Sequence, residues 1–330
     1  MIRPGRDADA AGFIALIGGC WAEYPGCVMD VDGEVPELRA LASHYAGKGG
    51  ALWSAEEAGR IVGVIAAWPE EPGIWEIGRM YVARAERGTG LADALLDRAE
   101  AHAIAAGAAR LQLWSDTRFE RAHRFYERRS YVRTGPIRAL NDRSNSIEFH
   151  YAKPVHGIER LDAAAAASAE RPLAEVLCAC VEAGASVSFL PPLPLGTART
   201  FWRRYAAEVA GGKRIILAAW ADGVLRGVVT LGLDTPQNQP HRADVQKLLV
   251  HPAARRRGLG RALMELLEQE AAAAGRTLLT LDTNEADDAE RLYRALGWTE
   301  AGRFPDYAVQ ADGSLRATVL FYKRTGGPGT

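Results

Sequence analysis

Leu248-Leu249-Val250-His251-Pro252-Ala253-Ala254-Arg255-Arg256-Arg257-Gly258-Leu259-Gly260-Arg261-Ala262-Leu263-Met264 is the stretch that decides how this chain reads. An apolar run suited to a buried strand gives way to an arginine-rich turn with two glycines, and a helix-forming run follows. The first turn of such a helix has N–H groups without partners inside the helix, and its dipole favours negative charge there. Glycine lets the backbone come close to a bulky anion such as a diphosphate. A single Gly-x-Gly turn entering a helix arises easily by chance. This chain has two. Met80-Tyr81-Val82-Ala83-Arg84-Ala85-Glu86-Arg87-Gly88-Thr89-Gly90-Leu91-Ala92-Asp93-Ala94-Leu95-Leu96 repeats the pattern, with Gly88 and Gly90 set against Gly258 and Gly260.

A second pair of stretches follows each turn. Ala122-His123-Arg124-Phe125-Tyr126-Glu127-Arg128-Arg129-Ser130-Tyr131 aligns with Ala289-Glu290-Arg291-Leu292-Tyr293-Arg294-Ala295-Leu296-Gly297-Trp298. The chain therefore reads as a tandem duplication. Its 330 residues are about twice a common domain size, and the halves divide as 1–155 and 156–330. Each half predicts an opening strand and two helices in the first case, and two helices in the second. Three strands, a helix, a strand, a helix and two closing strands complete both. Asp222-Gly223 marks a hairpin, and Ala163–Ala167 a short helix near the linker. The fold class expected is α/β, with a mixed, largely antiparallel central sheet flanked by helices in each half. Gly326–Thr330 reads as a frayed tail.

Forty basic residues against 41 acidic ones leave a net charge of −1, which argues against a nucleic-acid binder or a binder of anionic membranes. No segment has the length of uncharged apolar sequence that crosses a bilayer, and the N-terminal run lacks the pattern of a secretory signal. Cys20, Cys27, Cys178 and Cys180 form no Cys-x-x-Cys and have no histidines at ligand spacing, so no metal site is expected. They read as reduced thiols, and the protein as soluble and cytoplasmic.

Arg255-Arg256-Arg257-Gly258-Leu259-Gly260 resembles the pyrophosphate signature of the GNAT acetyltransferase superfamily, Gln/Arg-x-x-Gly-x-Gly/Ala. The second half is also similar to the tabtoxin-resistance acetyltransferases, from Lys247 through Leu281-Asp282-Thr283 to Asp312-Gly313. The resemblance implies two GNAT folds and acetyl-CoA as cofactor. It implies that the diphosphate sits on Arg255 to Arg261, and the pantetheine arm along Leu248, Leu249 and Val250. Asn284, expected at the start of the next helix, and Tyr293 would add contacts. Met80, Tyr81, Val82, Arg87, Gly88, Thr89, Gly90 and Leu91 would do the same in the first half. There the signature is expected to be partly degenerate, with Ala85 in the Gln/Arg place and Ser130 in that of Gly297. The duplication makes packing of the halves as an intramolecular pseudo-dimer plausible.

Acetyl transfer to an amine needs a base for the amine, whose pKa is ~10.4, and a proton for the departing thiolate. The family resemblance puts Tyr293 in the place of the acid, and Tyr126 in the first half; an aromatic there also suits a core. Asp282, ending an apolar strand, is either a desolvated base or the cap of the next helix. Ser115, beside Asp116, is set against it in the first half. Asp244 and Gln246, with Glu76 as the counterpart of Asp244, lie near the expected acetyl position. The expected activity is N-acetylation of a primary amine on a small molecule. The alternative is a non-catalytic acyl-CoA sensor or scaffold.

Overall fold

The computed structural model describes residues 1–325, and the tail expected at Gly326–Thr330 lies outside the described residues. The chain divides into two units, one of Met1–Tyr126 with Arg133–Val155, the other of Glu127–Val132 with the residues from His156 onward.

In the first unit the strands are β1 (Ile2–Pro4), β2 (Ala51–Glu57), β3 (Arg60–Glu71), β4 (Ile74–Val82), β5 (Arg110–Asp116), β6 (Val132–Ala139) and β7 (Ile147–Pro154). The helices are α1 (Ala10–Trp21), α2 (Leu41–Gly47), α3 (Leu91–Ala105) and α4 (Glu120–Arg128). The sheet runs β1-β2-β3-β4-β5-β7-β6. β4 and β5 pair in parallel and are joined by the α3 crossover, as parallel neighbours require. Residues 62–68 of β3 are buried without a break, because helices cover both faces of this central strand.

The second unit repeats the plan. It contains β8 (Gly157–Arg160), α5 (Ala163–Ser168), α6 (Glu170–Glu182), α7 (Leu195–Ala210), β9 (Arg214–Ala221), β10 (Val224–Gly232) and β11 (Arg242–Val250). It continues with α8 (Leu259–Ala273), β12 (Leu278–Asn284), α9 (Asp288–Ala295), β13 (Thr299–Val309) and β14 (Leu315–Arg324). The order β8-β9-β10-β11-β12-β14-β13 is that of the first sheet.

In both units the helix after the glycine turn lies close on the sheet through a glycine. A Cβ added at Gly63 would come within 2.8 Å of Leu95, and one at Gly227 within 3.1 Å of Leu263. Two details depart from expectation. The helix foreseen from Pro36 breaks into a 3-10 turn, Pro36–Arg39, before α2. β8, too short and polar to stand out in the sequence, pairs along β9.

Candidate active site

β11 and β12 run together only at their starts. Arg242, Ala243 and Asp244 pair with Leu278, Leu279 and Thr280, and the strands then part although both continue. β4 and β5 part in the same way after Glu76 and Gln112. Just beyond each parting point a non-glycine residue takes a left-handed conformation: Lys247 at φ 55° and Arg79 at φ 51°. A bulge of this kind bends the strand and leaves main-chain N–H and C=O groups facing the gap.

In the second unit the gap opens into a cavity of about 640 Å³. β11 contributes Leu248, Leu249 and Val250, and the turn contributes Arg255, Arg256 and Gly258. Leu259, Gly260 and Arg261 of α8 line it as well, with Asp282 of β12 and Tyr293 of α9. Gly258 caps α8 at φ 82°, and among the described residues no side-chain cap bonds to the first turn. Those groups remain donors for an anion. The cavity thus suits an elongated ligand with an anionic end at α8 and an amide-bearing arm along β11.

Arg257 and Asn284 stand apart from this cavity. Arg257 pairs with Asp222 at 3.2 Å. Asn284 ends β12 instead of opening α9, and its buried amide donates to Gln310 at 2.9 Å. Lys247, which is not among the expected site residues, lines the cavity while its Nζ donates to the Val187 carbonyl at 2.9 Å and the Ser188 hydroxyl at 3.3 Å. Only its place on the segment that parts from β12 could have singled it out.

Tyr293 is 5% exposed and its ring packs near Trp298 and Phe321. The ring is therefore core, and the residue still reaches the cavity wall. Burial pushes its phenol well above the ordinary tyrosine range, so the hydroxyl keeps its proton at neutral pH. Asp282 is exposed on that wall and accepts from the Thr318 hydroxyl at 3.4 Å. The desolvated carboxylate expected there is corrected, since strand alternation turns Asp282 away from the core that buries Leu281. Nor does Asp282 cap α9; Asp287 does, accepting from the Asp288 N–H at 2.6 Å. Asp244 is held by Arg242 and Thr280. Its counterpart Glu76 has no such partner among the described residues, and burial, with the charge of Glu70 nearby, pushes its carboxyl up to about 7.

The structure shifts the expected pairing of the two turns by two residues. α3 is capped by Gly90 at φ 90° as α8 is by Gly258, so those glycines correspond. Gly88 at φ 81° then matches Arg256 at φ 62°. Arg87 matches Arg255: each donates its Nε to the last carbonyl of the preceding strand, Val82 or Val250, at 3.2 Å. Arg87-Gly88-Thr89-Gly90-Leu91-Ala92 thus carries the whole Arg-x-x-Gly-x-Ala pattern, and Ala85 does not stand in the arginine's place. By the register of the parallel pairs, Trp114, not Ser115, corresponds to Asp282, and Asp116 to Asn284. Tyr126 corresponds to Tyr293 and is likewise buried, its phenol pushed up by burial and by Tyr81.

A model of the acetyltransferase (GNAT) family matches residues 20–131 and again residues 187–298. The chain belongs to the GNAT acetyltransferase family. An IAA acetyltransferase of Azospirillum brasilense is 34% identical to this GNAT protein over 92 residues, which span 28% of the chain and 58% of that relative. A phosphinothricin acetyltransferase of Sinorhizobium meliloti, solved in complex with acetyl-CoA, is similar at a TM-score of 0.44 and 20% identity; 53% of this chain and 92% of that one are covered. A ribosomal-protein-alanine N-acetyltransferase of Brucella melitensis is similar at a TM-score of 0.42 and 22% identity, over 51% of this chain and 99% of its own. No helix among the described residues is long and apolar enough to cross a membrane.

Proposed function

We propose that this protein is an acetyl-CoA-dependent N-acetyltransferase that acts on a primary amine of a small molecule, with its main site in the second domain, residues 156–330. The observation that carries the reading is the cavity itself, which joins a glycine-capped helix N-terminus to a gap between parted strands and reaches a protonated tyrosine. When bound, acetyl-CoA supplies a thioester as the acyl donor. The first-turn N–H groups of α8, beside Arg255 and Arg256, bind its diphosphate. The open edge of β11 receives the amides of its arm.

Tyr293 holds a proton on the cavity wall and hands it to the departing thiolate, whose own pKa is roughly 8.5. Asp282, on the same wall, takes the amine proton directly or through water. Lys247 fixes the 187–188 segment of the loop after α6 against the cavity, which shapes the acceptor's approach. Four free thiols accord with work in the reducing cytoplasm.

The test is release of free coenzyme A, read by a thiol reagent, over a panel of small primary amines. The proposal expects turnover that falls about 100-fold in Tyr293→Phe while the KM for acetyl-CoA is unchanged. Undiminished turnover in that variant removes the acid from Tyr293. A complete lack of turnover with every amine contradicts the enzymatic reading.

A further inference from the structure

The two turns carry the same arginine in different company. Arg87 and Arg255 each reach back to a strand-end carbonyl, and a helix cysteine donates to that same carbonyl: Cys20 to Val82 at 3.6 Å, Cys180 to Val250 at 3.3 Å. Three residues beyond each cysteine the units diverge. The second unit has Ala183, exposed at the end of α6 and lining the cavity. The first has Glu23, whose two carboxylate oxygens accept from Nη1 and Nη2 of Arg87, both at 2.7 Å.

This is a bidentate pair at the surface, with side chains partly covered, Arg87 at 23% and Glu23 at 26% exposure. Such paired, charge-assisted bonds are the strong ones. Arg87 holds the Glu23 carboxyl below the usual carboxylate range, and Arg84 and Arg121 nearby add to this, so Glu23 carries its charge at neutral pH. Among the described residues no carboxylate pairs with Arg255. Of the acids lining the second cavity, Asp287 caps α9 and Asp288 pairs with Arg256 and Arg291.

We propose that Glu23 sets the affinity of the first unit for the acetyl-CoA diphosphate, by engaging Arg87 and placing a negative charge where the second unit presents only a methyl group. The backbone donors of α3 remain, so the first unit still binds. It binds more weakly than the second because the incoming anion meets a like charge and an arginine already neutralised. The inequality between the two sites thus lies in one side chain outside the glycine turn. This inference rests on the proposed acetyl-CoA chemistry.

Calorimetric titration of acetyl-CoA into the full chain tests it. The wild type is expected to show a tight and a weak class of site. Glu23→Ala and the isosteric Glu23→Gln should each tighten the weak class, by about tenfold for the alanine at low salt, and leave the tight class alone. The reciprocal Ala183→Glu, on an exposed position, should weaken the tight class by a similar factor, and added salt should shrink both effects. Unchanged or weakened binding in both Glu23 variants overturns the proposal, because a carboxylate that merely positions Arg87 would give a loss. Absence of heat from the wild type and every variant instead overturns the acetyl-CoA reading itself.

Discussion

Burial divides the carboxylates near the parted strands into two kinds. Asp282 and Asp244 stand in water or in an ion pair, whereas Glu76, paired on the sheet with Trp68 and Gln112, is desolvated and has no ion pair among the described residues. Its carboxyl, pushed up to about 7, makes the native state bind a proton more strongly than the unfolded chain does. Stability from this group is fully present below the unfolded pKa near 4.5 and is lost as pH rises through about 7. His150, which burial lowers to about 4, acts in the opposite sense, since its folded form resists protonation as pH falls below about 6.5. The two trends oppose each other between these limits, so the comparison of variants is decisive. Glu76→Gln should gain about 2 kcal/mol over the wild type between pH 5 and pH 8, read from urea midpoints at each pH. A pH-independent difference would show that Glu76 ionises freely.

At the scale of elements, the glycines that let α3 and α8 lie on their sheets matter more than their numbers suggest. Gly63→Val should destabilise the first unit by about 1–3 kcal/mol, because the added carbons meet Leu95 on one side and Ala55 on the other. Gly227→Ala should cost less, since its methyl meets chiefly the movable end of Leu263. Urea titration of both variants reads this directly, and equal, negligible losses would contradict the packing described. The turns themselves teach where sequence reading stops. The strands, helices and duplication were legible because apolar periodicity and Arg-Gly turns occur in the same order twice. The register of the turns was not, because the left-handed site before the cap accepts either Gly88 or Arg256. Matching glycine to glycine therefore slipped the alignment by two residues and hid the complete signature of the first turn. Tyr293 and the α8 turn were legible through their motifs. The exposure of Asp282 depends on which face of β12 is covered, and the clasp of Glu23 on Arg87 joins residues 64 apart, so neither is written in any local stretch.

At the scale of the molecule, one sheet order occurs twice in one chain, and in each copy a glycine-capped helix follows the first of two strands that part. Both units therefore share the glycine-capped helix and the arginine of the turn, while among the described residues Arg87 pairs with a carboxylate and Arg255 does not. Gly258 is the residue on which the main site most depends: its φ of 82° is strained for a β-branched side chain, and it lines the cavity at the start of α8. The most direct measurement is the stoichiometry of acetyl-CoA bound to the full chain and to Gly258→Val. The account predicts two equivalents for the wild type and loss of the tighter one in the variant, with the weaker retained. No uptake of acetyl-CoA, or uptake that the substitution leaves untouched, would contradict it.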